Sequence, residues 1–63
     1  MPHLNNSELQ NIRHIMLEEQ VTADKADFFV SQVSNPQLKS HLDQKARMCR
    51  QNVQQLNQFI SQY

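Results

Sequence analysis

Ser34-Asn35-Pro36 divides the chain into two helical patterns of similar length, and glycine occurs nowhere in it. Asn is among the strongest N-cap residues because its side-chain oxygen accepts an otherwise orphaned backbone N–H. Pro suits the first helical position, where its missing N–H has no intrahelical partner to lose. The same ring disfavours helical geometry at the residue before it, so the preceding helix must stop. The sequence therefore specifies an all-α fold, an antiparallel two-helix hairpin in a single domain spanning residues 1–63. The expected helices run over about 7–33 and 36–62.

The first helix has a start signal in Ser7-Glu8-Leu9-Gln10, which fits a capping box. Glu8 also suits the positive end of the helix dipole. From there Leu9, Ile12, Met16, Ala23, Ala26, Val30 and Val33 recur at steps of three and four, with one double step from Met16 to Ala23, a heptad-like seam. A break in this helix would fall at Val21-Thr22, where β-branched residues cost propensity; the periodicity runs on through it. The second helix carries Leu38, Leu42, Ala46, Cys49, Val53, Leu56, Ile60 and Tyr63 at the same steps, with Met48 and Phe59 widening the stripe. Ten glutamines fill much of the polar remainder, and Gln is a good helix former.

A second stripe marks the first helix. At ~100° per residue, Leu17, Val21 and Phe28 lie on the side away from the seam. One hairpin cannot cover both faces of the same helix. These three residues are the expected interface, and the expected outcome is a homodimer or higher assembly in which two hairpins form a four-helix bundle. Size points the same way, since 63 residues give a marginal core that usually needs a disulfide, a metal or oligomerisation. Cys49 is the only cysteine and reads as a small packing residue, so no disulfide can form within the chain.

Formal net charge is zero, which weighs against sequence-independent nucleic-acid binding. The neutrality hides an asymmetry. Glu8, Glu18, Glu19, Asp24 and Asp27 outnumber Arg13 and Lys25 in the first half, whereas Lys39, Lys45, Arg47 and Arg50 outnumber Asp43 in the second. An acidic helix beside a basic one favours pairing between them. Glu19 falls where the seam expects an apolar residue, and folding the hairpin at 34–35 brings it level with Ala46, Cys49 and Arg50. Arg50 is its expected partner, as a structural ion pair across the two helices or across a protomer boundary.

Chemistry has little to rest on. Di-iron bundles use Glu-x-x-His motifs and several inward carboxylates. The chain has no Glu-x-x-His, and residues 34–63 contain no Glu. His14 and Glu18 stand one turn apart, but two ligands do not make a zinc site. Ser40, His41 and Asp43 are explained by local hydrogen bonding near a helix start. No catalytic, cofactor-binding or metal site is expected, and no enzyme. No apolar run is long enough for a membrane span or a signal peptide, and the lone thiol suits an intracellular setting.

Ser34-Asn35-Pro36-Gln37-Leu38-Lys39-Ser40-His41-Leu42, followed by a Gln-rich helix ending at Tyr63, resembles the small spore coat protein F family of spore-forming Firmicutes. The resemblance covers most of residues 8–63. It implies a ferritin-like helical hairpin, a non-enzymatic structural or packing role, a place in the spore or its coat, and other spore proteins as partners beside the chain itself. The chain departs from that family in ending Ser61-Gln62-Tyr63 rather than Gly-Trp-Tyr, and in lacking acidic residues in most of its second helix. A weaker resemblance joins Ser40-His41-Leu42-Asp43 to hairpin phosphatases of aspartyl-phosphate response regulators, whose Ser-Gln-x-Leu-Asp signature is one residue longer. A third reading is a helical adaptor that sequesters a partner protein through Leu17, Val21 and Phe28.

Overall fold

The computed structural model describes residues 4–61 as two helices, α1 (Asn6–Gln32) and α2 (Pro36–Ile60), joined by a three-residue turn. No residue among those described has a positive φ, so the chain reverses without left-handed backbone. It does so by passing from helix into extended geometry at Val33 (φ −102°, ψ 151°) and Asn35 (φ −72°, ψ 120°). The Val33 N–H still donates to the Phe29 carbonyl at 3.1 Å, closing the last turn of α1. Asn35 Oδ1 accepts from the N–H groups of Gln37 (2.9 Å) and Leu38 (3.1 Å), and Pro36 begins α2. The bend is the expected one.

The start of α1 corrects the expectation. Asn5, rather than Ser7, caps the helix: its Oδ1 accepts from the Glu8 N–H at 2.7 Å, and Glu8 Oε1 accepts from the Asn5 N–H at 3.1 Å. Asn5-x-x-Glu8 and Ser7-x-x-Gln10 overlap in the sequence. The earlier one wins because Glu8 returns a charged acceptor to the cap and adds helical residues at the same time. α1 is continuous through Val21-Thr22. Tyr63 lies outside the described residues, as does the second-helix end at 62.

The helices touch along the two expected seams, and the contact is narrow. Ala23, Ala26, Ala46 and Cys49 are the buried core of the described residues. Small side chains at a crossing let two helices approach closely. The larger seam residues Leu9, Ile12, Met16, Val30, Leu42, Val53, Leu56 and Ile60 are only half-buried. Leu38 is more exposed still. The shape explains this. The molecule measures 47 × 16 × 11 Å with a radius of gyration of 14.6 Å, whereas a compact domain of this length would have about 11 Å. A single neighbour covers only one stripe of each rod, so a packed second layer is missing.

Candidate interaction surfaces

Three sides of the hairpin differ in chemistry. The back of α1 presents the expected stripe: Leu17 and Phe28 are each 61 % exposed, and Val21 is exposed between them. Nothing in α2 approaches this side, because the helices meet through Ala23 and Ala26.

The second side is built by both helices together. A shallow depression beside the waist is lined by Ile15, Glu18, Glu19 and Thr22 of α1 and by Lys45 and Cys49 of α2. It therefore identifies which flanks of the two helices lie together. Residues seven apart share a strip of a helix, so Ile15, Thr22 and Phe29 line one border of this flank. Leu38, Lys45, Asn52 and Phe59 line the other. Ile15 and Phe29 are 47 % and 49 % exposed, and Leu38, Phe59 and the neighbouring Met48 are exposed as well. The flank is apolar toward both ends and polar in the middle. Phe28 and Phe29 meet edge to face at 5.8 Å between ring centres. This aromatic pair forms the corner where the flank turns into the back of α1.

The third side is polar and internally paired. Arg50 donates to Asp27 and, at 3.4 Å, to Asp24, while Arg47 pairs with Asp43 at 3.1 Å one turn away. Asp27 as hydrogen-bond partner is the main cause that holds the Arg50 guanidinium above its ordinary pKa, with Asp24 adding to it.

The expected pair of Glu19 and Arg50 does not form within the hairpin. Glu19 instead accepts from Asn52 Nδ2 at 3.4 Å. Helical side chains lean toward their own N-terminus. In an antiparallel hairpin that sends an α1 side chain toward the open end and an α2 side chain toward the bend. Glu19 thus leans to Asn52 and Arg50 to Asp24 and Asp27. Glu19 also sits beside the Cys49 thiol, whose hydrogen bond to that carboxylate pushes its pKa up, with burial adding to the effect. At 2 % exposure Cys49 is a packing residue held in its neutral form.

The remaining candidates stay dispersed. His14 contacts Glu18 at 2.6 Å on an open helix face. His41 and Asp43 are two residues apart and so do not face each other on α2. Among the described residues no group of three His, Cys, Asp or Glu could hold a metal ion. No helix among them is long and apolar enough to cross a membrane. Comparison with protein-family models, curated proteins and solved structures finds no match to this chain.

Proposed function

We propose that the chain is a non-enzymatic packing protein that assembles from copies of itself, two hairpins joining flank to flank in a four-helix bundle. One observation carries the reading. Among the described residues the buried core is three alanines and a cysteine, while eight large apolar side chains on the two helices remain exposed. Fully burying a large apolar side chain stabilises by about 1.5–3 kcal/mol, so the roughly half-exposed faces of these eight residues are apolar area that a second copy can still cover.

The flank bordered by Ile15, Phe29, Leu38 and Phe59 is the natural bundle face because both helices contribute to it. A two-fold partner running the opposite way lays the Ile15 and Phe59 end of one hairpin on the Phe29 and Leu38 end of the other. The polar middle, with Glu19, Thr22, Lys45 and Asn52, then faces its own copy. The resemblance of residues 34–42 to spore coat F-like proteins supports a structural setting in the spore, alongside other spore proteins.

Sedimentation equilibrium at micromolar concentration tests the assembly, with dimers or larger species expected. A stable, fully helical monomer would overturn it. Fractionation of sporulating cells tests the setting, and recovery of the protein in the insoluble spore fraction is the expected result.

A further inference from the structure

We infer that the back of α1 is a second self-association surface, on which α1 of a neighbouring copy lies antiparallel and joins one bundle to the next. The inference rests on the bundle reading above and goes beyond it: the two surfaces together make the assembly larger than a dimer.

Geometry separates the two surfaces. Leu17, Val21 and Phe28 lie on the side of α1 away from the seam, and the flank bearing Ile15, Thr22 and Phe29 lies between that stripe and α2. A protomer whose flank is covered still presents Leu17, Val21, Phe28 and Lys25, while Glu18, which also lines the flank depression, stands at the boundary of the two surfaces.

Charge selects the occupant. Glu18 and Lys25 border the stripe on one side and stand seven residues apart, two turns along the same strip. In two antiparallel helices related by a two-fold axis, that strip of one copy faces the same strip of the other. An axis passing near Val21 sets Glu18 of each copy opposite Lys25 of its neighbour, so the pair forms twice. The same register seats Leu17 between Val21 and Phe28 of the neighbour. Lys25 has no ion-pair partner among the described residues, and Glu18 uses only one carboxylate oxygen for His14. A second copy therefore supplies what both groups lack. A foreign helix would need the same opposite charges at the same spacing by chance.

Size sets the rank of the contact. Stable interfaces bury about 800 Å² per partner, and a patch of three side chains offers on the order of a few hundred Å². Such a contact does not hold two lone hairpins together. It can link bundles as concentration rises, since each bundle presents the stripe twice and so can continue on two sides.

The test compares the size distributions of the full chain and its variants by sedimentation velocity, with circular dichroism to check helicity. Wild type should form species larger than a dimer as concentration rises. Leu17→Lys with Phe28→Lys should stop at the dimer. Lys25→Glu should also lose the larger species, and adding Glu18→Lys to it should bring them back, because the exchanged charges again face each other. This rescue separates a specific contact from general stickiness. A wild type that stops at the dimer overturns the second surface and leaves the bundle standing, whereas a wild-type monomer overturns both. Larger species that persist in the Leu17 and Phe28 variant, or a double charge exchange that restores nothing, overturn the inference.

Discussion

The two long sides of the hairpin meet water in opposite ways. On one side Arg50 draws Asp24 and Asp27 together across the helices, and Arg47 holds Asp43. On the other, Ile15, Phe29, Leu38 and Phe59 stand exposed around a small polar centre. The ionic side satisfies its own groups and asks nothing of a neighbour, so it suits a solvent-facing surface. The apolar side leaves area uncovered at both ends, so it suits an interface. Nearly equal numbers of residues are involved, yet their consequences for stability differ. Exposed ion pairs contribute only ~0–1 kcal/mol, whereas covering large apolar side chains is worth considerably more apiece.

The largest effect should come from charging the apolar side. Ile15→Lys with Phe29→Lys is expected to abolish the proposed flank-to-flank dimer. Because little core remains without it, the variant should also lose helicity at low concentration. Sedimentation equilibrium beside circular dichroism reads both, and a variant that still dimerises with full helicity would erase the distinction between the sides.

An intermediate effect should come from the waist they share. Ala26→Leu places a large side chain in the small-residue core between the helices, and overpacking of this kind costs about 1–3 kcal/mol. Urea unfolding at matched protein concentration measures it, since the proposed assembly would itself add to stability. No loss would show that the helices can separate freely, and that the small residues there do not set their spacing.

The smallest effect belongs to the ionic side. Arg50→Met should lower the unfolding midpoint slightly, and the difference from wild type should shrink in high salt as exposed charges are screened. A large loss that salt leaves unchanged would mean that water is excluded there, making the ionic side an interface too.

How much of this was legible in the sequence varies with the range of the interaction. Asn35-Pro36 acts on its immediate neighbours, so the bend could be read directly, and the seams followed from spacing. The cap of α1 was ambiguous because Asn5-x-x-Glu8 and Ser7-x-x-Gln10 overlap, and only the geometry decides between them. Within one hairpin Glu19 and Arg50 do not pair because level positions in an antiparallel hairpin carry side chains that lean apart. The apolar flank was hidden for another reason. Thr22 interrupts its strip on α1, and Lys45 and Asn52 interrupt its strip on α2. Neither strip has a clear pattern alone, and the surface exists only once the two helices lie side by side. The back stripe, contained in one helix, could be read without that knowledge.

The proline at the head of α2 also limits what the chain can become. A helical hairpin can exchange halves with a neighbour by straightening its bend, turning two short rods into one long one. Here that route requires Asn35 to enter a helix directly ahead of Pro36, a geometry the ring opposes. Val33 and Asn35 already lie in extended backbone, so the chain is set to reverse at this point. In the proposed assembly, copies meet as finished hairpins that add surface to surface. The unit of growth is a folded block rather than a strand threaded through its neighbour, and such a block can be added or removed without first being unfolded.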